Sequence, residues 1–317
     1  MKKRVCTVFL MVVALMFWTP AVWGADGPAM GAANVEEVKQ SAETALDEAK
    51  EADVAAEAEE MAEEGAAKAR EALSEAEEAF EDVVEEASEA VAPDPLDTAE
   101  ALIKKGGLEN RKKALDICLE VVKKNPESYR ANWMAARACR EYANLVKREG
   151  RQGWEDVCKE YGKKGMNFAD KATQLNPDGA EGYYWYGTHV GIYSDGTGIL
   201  TALREGLKDK TQSNFEKAYS IDKLYQKGGP IIALGRFWYV LPWPLNDKGK
   251  SMEYFREFQT TEFYGDPDTV EFNVYFAELL MDSRKTRDEA RALLLQVPKL
   301  SDDPYWNKKA NELLAKL

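Results

Sequence analysis

The residues best able to do chemistry in this chain gather around its only histidine, His189. Trp185 lies four residues earlier, so the two side chains share one face if this stretch is helical. One titratable ring among aromatic residues suits binding better than catalysis, because the sequence adds no second histidine, no nucleophile motif and no metal-ligand cluster. We therefore expect a protein without enzymatic activity, cofactor or metal.

Cysteine usage gives little support to redox chemistry, because no CxxC pair occurs. Beyond the N-terminal segment the chain has Cys118, Cys139 and Cys158, and an odd number leaves at least one thiol unpaired or intermolecular. Cys118 falls on an apolar helical face, where a free thiol behaves as a small hydrophobic group. A disulfide between Cys139 and Cys158 is the alternative to three free thiols.

The N-terminus predicts export. A basic start (Lys2, Lys3, Arg4) precedes an apolar run from Val5 to Trp18 and then small residues, as in a secretory signal peptide. The run is shorter than the roughly 20 apolar residues of a transmembrane helix. We expect a signal peptide over residues 1–25 and a periplasmic mature chain without a transmembrane domain. An uncleaved N-terminal anchor is the alternative.

Residues 26–95 form an acidic segment rich in alanine and glutamate. Between Asp26 and Ala92 there are 22 acidic and 4 basic residues, whereas the chain from residue 93 onward is nearly neutral. The sequence has no basic patch of the kind that predicts nucleic-acid binding. Small apolar residues recur three and four apart, which predicts a helical or disordered spacer. An alanine coiled coil that forms a homo-oligomer and a hairpin around Gly65 are alternatives.

From residue 96 to the C-terminus, one spacing of small and apolar residues recurs five times. Each copy places them at positions i, i+4 and i+7 of a predicted helix. A small residue lets a partner helix approach, and the residues one and two turns later fill the gap. The copies are Ala114, Cys118, Val121; Gly165, Ala169, Ala172; Thr211, Phe215, Ala218; Ser251, Phe255, Phe258; and Ala290, Leu294, Val297.

A second pattern follows the first three copies, and the two together resemble the tetratricopeptide repeat (TPR). Its members are Trp133, Ala136, Arg137; Tyr184, Gly187, Thr188; and Ile231, Leu234, Gly235. The spacing exceeds the usual period of about 34 residues, which fits inserted loops. We predict an all-α fold in which a TPR-like array of helical hairpins over residues 96–317 follows the acidic segment. Such arrays leave a concave face for binding.

The resemblance also implies which residues face the groove, because the first helix of each TPR lines it. The candidate ligand- or partner-binding residues are then Trp185, His189, Tyr193, Ile232, Arg236 and Tyr239. Rings with one titratable group and one cation suit an amphipathic ligand with an acidic head, or an apolar peptide edge. Packing of Trp185 and His189 inside the core is the alternative.

Residues 180–297 further resemble the T-component proteins of TRAP transporters, which are periplasmic and TPR-like. The resemblance is carried by EGYYWYG at 181–187, GGPIIALGRFWYVLPWP at 228–244 and the KSMEYFREF helix that follows. It implies a periplasmic solute-binding protein as partner and an organic-acid or hydrophobic ligand. The chain departs from that family in lacking a lipobox and in carrying the acidic segment. The ALGRFWY stretch is also similar to regulators of microtubule dynamics, but the export signal favours the bacterial family.

Two functions therefore stand side by side. One is an accessory binding protein for solute uptake. The other is a scaffold for protein–protein interaction at the cell envelope, with the acidic segment as spacer or oligomerisation arm.

The LPWP stretch at 241–244 predicts the end of a helix, with Trp243 packed against it.

Overall fold

The structure, a computed structural model, describes residues 93–317 together with Gln40, Thr44 and Ser74, which are helical and exposed. The predicted signal peptide and nearly all of the acidic segment lie outside the described residues. Residues 93–317 form twelve α-helices and no β-strand, which confirms the all-α prediction. The helices are α1 Pro95–Lys105, α2 Leu108–Lys124, α3 Tyr129–Arg148, α4 Trp154–Leu175, α5 Ala180–Thr197, α6 Ile199–Arg204, α7 Leu207–Asp222, α8 Tyr225–Val240, α9 Lys248–Phe258, α10 Val270–Leu280, α11 Arg287–Leu300 and α12 Pro304–Leu314.

The helices pack as successive hairpins. α1 packs on α2, α3 on α4, α5 on α7, α8 on α9 and α10 on α11, and α12 covers the C-terminal end. The second helix of each hairpin also contacts the first helix of the next. The short α6 occupies the loop between α5 and α7. This is the stacking of a TPR-like array, in which neighbouring hairpins bury a continuous core.

The repeated i, i+4, i+7 spacing falls on the second helix of every hairpin. Fourteen of its fifteen residues are buried, and only Val121 is partly exposed. Glycines on the first helices receive the rings of the second helices. A Cβ on Gly187 would lie 2.4 Å from Cε1 of Phe215, and one on Gly235 would lie 2.5 Å from Cε1 of Phe255. Both distances are too short for any side chain, so these glycines set the helix spacing within their hairpins.

Several helices begin at side chains that cap their free backbone N–H groups. Asp94 accepts a hydrogen bond from the Leu96 amide, Ser128 from Ala131, Asp247 from Lys250 and Asp303 from Tyr305. Such caps stabilise a helix by about 1 kcal/mol each. They fix where the chain turns from one hairpin into the next.

The first helices of the hairpins follow a tight curve. Arg148, at the C-terminal end of α3, forms an ion pair with Asp303, which caps α12. Its guanidinium also lies over the rings of Tyr305 and Trp306, at 5.1 and 5.2 Å from their centroids. Three first helices, α5, α8 and α10, separate α3 from α12 along the chain. The contact therefore closes the curve. We call inner face the set of first-helix side chains whose charges act on one another there: Arg137, Arg140, Tyr184, Arg236, Glu271 and Tyr275.

Candidate functional site

Four of the six predicted groove residues lie in the core. Trp185, His189, Tyr193 and Ile232 are each at most 6% exposed. The expectation that they face an open groove was wrong, and the alternative, core packing, holds for Trp185 and His189. Arg236 and Tyr239 are half-buried and lie on the inner face.

Two glycines of α4 explain why these residues of α5 are buried. A Cβ on Gly162 would lie 2.8 Å from the Tyr193 Cα, and one on Gly165 would lie 2.1 Å from Cε1 of His189. Without side chains at these positions, α5 packs directly on the backbone of α4. The face of α5 that the TPR resemblance assigns to a groove is therefore covered by the preceding hairpin.

Among the described residues, only one of the two ring nitrogens of His189 has a hydrogen-bond partner. Its Nε2–H donates to the Ala136 carbonyl oxygen at 2.7 Å. Its Nδ1 is buried and has no hydrogen-bond partner among the described residues. Burial lowers the pKa of His189 to about 4, although the bond to Ala136 opposes this fall. The ring is thus neutral at pH 7 and out of reach of a substrate.

The other buried members of the predicted site also have their polar atoms paired inside the fold. The Trp185 indole N–H donates to the Tyr225 hydroxyl at 3.0 Å. The Tyr193 hydroxyl donates to Glu205 at 2.8 Å, and Lys163 lies over its ring. These contacts hold α5 against α8 and α6, which is a structural role.

Arg236 and Tyr239 are the predicted pair that the structure does bring together. Arg236 forms an ion pair with Glu278 of α10 and lies over the rings of Tyr239 and Tyr275, at 5.6 and 4.4 Å from their centroids. The Tyr239 hydroxyl donates to the Glu278 carbonyl oxygen at 3.2 Å. Both side chains therefore fasten α8 to α10 on the inner face.

Sequence reasoning missed four residues of the inner face. They are Arg140 on α3, Tyr184 on α5, and Glu271 and Tyr275 on α10, and all four are half-buried. Burial raises the pKa of Tyr184 to about 12 and raises that of Glu271, and the Arg140 guanidinium opposes both rises. The charge of Arg140 therefore acts on both Tyr184 and Glu271. Tyr184 belongs to the second repeated pattern of the sequence, but that pattern does not determine the direction of its side chain.

The three cysteines among the described residues, Cys118, Cys139 and Cys158, are free, buried thiols. A Cys139–Cys158 disulfide, the alternative considered from the sequence, is not formed. Burial raises the pKa of Cys118 to about 12 and that of Cys158 to about 11. Because the thiolate is the reactive form, these groups are unreactive in the folded chain.

The LPWP turn does not pack its tryptophan. Trp243 is 86% exposed, so the expectation that it packs against α8 was wrong. The backbone explains why: Leu245 N–H donates to the Pro242 carbonyl and Asp247 N–H to that of Trp238, at 2.8 and 3.0 Å. These bonds fold the turn back on the end of α8 and leave the indole outside.

A charged depression of about 440 Å³ lies over Tyr193, between α4 and α6. Its lining mixes Lys159 and Lys163 with Asp156 and Glu205. The hydroxyls of its threonines already donate to backbone carbonyls one turn earlier. Because side chains of both charges line the depression, it does not favour a ligand of one charge.

Neither a metal-binding cluster nor a membrane-spanning helix occurs among the described residues. No group of three or more His, Cys, Asp or Glu side chains is placed to hold a metal ion there. No helix in that part of the chain combines the length and the apolar composition that crossing a membrane requires.

Comparison with known proteins agrees with this architecture. The family model of regulator of microtubule dynamics protein 1-3 matches residues 96–241, fewer than half of the chain. The comparison with curated proteins found no match.

Among solved structures, a thermophilic TPR protein from Thermus thermophilus aligns with 70% of this chain and 97% of its own, at 16% identity and a TM-score of 0.51. The human IFIT1 dimer with PPP-AAAA aligns over 70% and 62%, at 15% identity and a TM-score of 0.41. Yeast Tom70 aligns over 66% and 43%, at 17% identity and a TM-score of 0.36. The Thermus protein supports the conclusion that residues 96–317 fold as a TPR-like helical array.

Proposed function

We propose that this chain is a non-enzymatic scaffold that binds a protein partner through the surface around Trp243. The curved array supplies a rigid support, and the LPWP turn presents an apolar group that the fold itself does not use. The partner is an envelope protein if the predicted export signal acts.

The exposure of Trp243 carries this proposal. Val240 and Leu245 beside it are 39% and 41% exposed, so the indole stands in an apolar patch. Tryptophan is enriched among the residues that dominate the binding energy of protein interfaces. Burying a side chain of this size contributes a few kcal/mol at about 25 cal/mol per Å². The hydrogen bonds of the turn fix the backbone that carries the ring before binding, which lowers the entropic cost of association.

The test compares proteins captured from the native extract by tagged wild-type chain and by Trp243→Ala. We expect one specific partner to be lost from the variant, with thermal stability unchanged because the indole packs against little. Leu200→Ala is the matched control, since Leu200 is 57% exposed on α6 and lies outside the patch. An unchanged set of captured proteins for Trp243→Ala would contradict the proposal.

The periplasmic location is part of the proposal, since the predicted signal peptide lies outside the described residues. The matched family is named for microtubule dynamics, but the basic and apolar N-terminus supports an exported protein instead. Cell fractionation followed by N-terminal sequencing of the mature chain tests this. An intact Met1 in the cytosolic fraction would contradict export.

A narrower role, as accessory component of a TRAP-type uptake system, is the second candidate. The resemblance at 181–187 and 228–244 supports it, although most of these residues pack in the core and so bear more on fold than on partner. Its test is direct binding of the purified chain to a solute-binding protein of the same organism. A homo-oligomer formed through the acidic segment is a further possibility, which light scattering of a chain lacking residues 26–92 would test.

A further inference from the structure

We propose that the depression between α4 and α6 binds a small ligand that carries both a primary ammonium group and an anionic group. Two lysines of α4 receive the anion, and oxygen atoms of α5 and α6 receive the ammonium group. This site is distinct from the patch around Trp243. The inference goes beyond the scaffold role and does not rest on it, so the two proposals can fail separately.

The depression has a volume of about 440 Å³, and a buried ring forms part of its lining. That volume falls within the range of roughly 300–1,000 Å³ that small-molecule sites occupy. The ring belongs to Tyr193, which is 2% exposed. Its hydroxyl donates to Glu205 at 2.8 Å, and the Lys163 ammonium nitrogen lies 5.2 Å from its centroid. One buried ring therefore contacts a carboxylate and an ammonium group that both line the same volume.

Two lysines of α4 line the depression without a carboxylate partner. Lys159 and Lys163 are four residues apart, so they lie on one face of the helix. Neither forms an ion pair or donates a hydrogen bond to another residue in the part of the chain that the structure describes. By contrast, Lys164 on the same helix pairs with Glu160 at 2.6 Å. The depression thus has two ammonium groups available for an anion.

The lining from α5 and α6 offers acceptor oxygens. The Thr197 hydroxyl donates to the Tyr193 carbonyl oxygen at 2.8 Å, and the Thr201 hydroxyl to the Thr197 carbonyl oxygen at 3.0 Å. Each hydroxyl has therefore used its proton and can still accept a hydrogen bond. Glu205 accepts from Tyr193 and forms no ion pair among the described residues. A primary ammonium group has three donors, and these three side chains supply three acceptors for it.

Charge balance selects a ligand with both groups. An anion alone pairs with Lys159 and Lys163 but is repelled by Asp156 and Glu205, the two carboxylates of the lining. A cation alone meets the reverse repulsion. The acceptor oxygens also favour a primary ammonium group over a trimethylammonium group, which has no N–H to donate. Amino acids and phosphoethanolamine share this chemistry and differ in the anion.

Calorimetric titration of the full chain tests the site with glycine, 4-aminobutyrate and O-phosphoethanolamine. We expect at least one of these probes to bind tenfold or more tightly than butyrate and butylamine, which carry a single charge. Its trimethylated counterpart, such as glycine betaine or phosphocholine, should bind at least tenfold more weakly than the probe itself. The probe that binds best distinguishes a carboxylate ligand from a phosphate ligand as the source.

Lys159→Gln and Glu205→Gln should each weaken that binding at least tenfold. The glutamine that replaces Glu205 keeps an acceptor for the Tyr193 hydroxyl, and Lys159 has no partner to leave unpaired among the described residues. We therefore expect both variants to unfold at the temperature of the wild type. Lys164→Gln is the matched control, because it makes the same charge change on α4 outside the depression, and it should bind as the wild type does.

Three results would overturn the proposal. The first is that no probe with both charges binds at millimolar concentration. The second is that a single-charge or trimethylated analogue binds as tightly as the best probe. The third is that Lys159→Gln and Glu205→Gln, with wild-type thermal stability, bind that probe as the control does.

Discussion

His189 shows at the residue scale how burial decides what a side chain can do. An exposed histidine titrates near pH 6.5 and can serve as an acid or base. Here the ring is fully buried between α3 and α4, and burial lowers its pKa to about 4. The only histidine of the chain is therefore a neutral packing residue at pH 7. Its protonation affects the stability of the fold.

We predict that His189 makes the fold less stable as the pH falls from about 6.5 to about 4. Over this range the unfolded chain binds a proton at His189 that the folded chain does not, so the free energy of unfolding rises with pH. The difference in pKa corresponds to roughly 3 kcal/mol across the window. Urea unfolding at several pH values measures it.

His189→Gln is the comparison for this prediction. The variant loses stability at pH 7 because the ring leaves a gap, but its stability should depend less on pH than that of the wild type between pH 6.5 and 4.5. Carboxylates contribute equally to both chains, so they cancel in the difference. Identical pH dependence would show that folding does not change the pKa of His189.

The three buried thiols give a second prediction at this scale. Cys118, Cys139 and Cys158 are fully buried, so we expect no reaction with a thiol reagent in the native chain and three thiols per mature chain in denaturant. A fourth thiol, from Cys6, is expected only if the signal peptide remains. A native chain that reacts quickly, or a denatured chain with one thiol, would contradict the free buried arrangement.

At the scale of helices, the sequence predicted the features that depend on local spacing. It did not predict those that depend on packing between distant residues. The i, i+4, i+7 residues were predictable, because a small residue followed by larger apolar ones has one use on a helix that packs against another. The face of α5 was not. Its burial depends on Gly162 and Gly165 of α4, whose missing side chains let α5 approach closely. The prediction consequently assigned Trp185 and His189 to a groove, whereas Tyr184 points inward.

Gly165→Ala tests this packing between α4 and α5. The added methyl group would lie 2.1 Å from the His189 ring, and that ring is fully buried. We expect a loss of about 1–3 kcal/mol in unfolding free energy, as for other overpacked cores. Gly191→Ala on α5 is the matched control, because nothing lies within 4 Å of its Cβ.

The control should behave in the opposite way. Alanine favours a helix over glycine by about 1 kcal/mol, so Gly191→Ala should stabilise the chain or leave it unchanged. Equal effects of the two substitutions on the denaturation midpoint would show that the glycines of α4 do not set the contact with α5.

At the scale of the whole molecule, the closure of the curve could not be predicted from the sequence. The contact between Arg148 and Asp303 joins residues 155 positions apart. No repeat pattern predicts such a pair, because it depends on the accumulated rotation of every hairpin between α3 and α12. The repeat resemblance predicted a concave face, and the closure decides how far that face is enclosed.

Arg148→Ala should loosen the C-terminal end of the array without unfolding it. The substitution removes the ion pair to Asp303 and the cation–π contacts to Tyr305 and Trp306, which together are worth about 1–2 kcal/mol. The apolar side of α12 keeps its place, because Trp306, Ala310 and Leu313 belong to the core formed with α10 and α11. Hydrogen exchange should therefore lose protection mainly in α12, and X-ray scattering should show a slightly larger radius of gyration. Arg256→Ala, which breaks an exposed pair on the outside of the array, should change neither measurement. If both variants behave alike, the Arg148 contact is an ordinary surface pair and the inner face is open at that end.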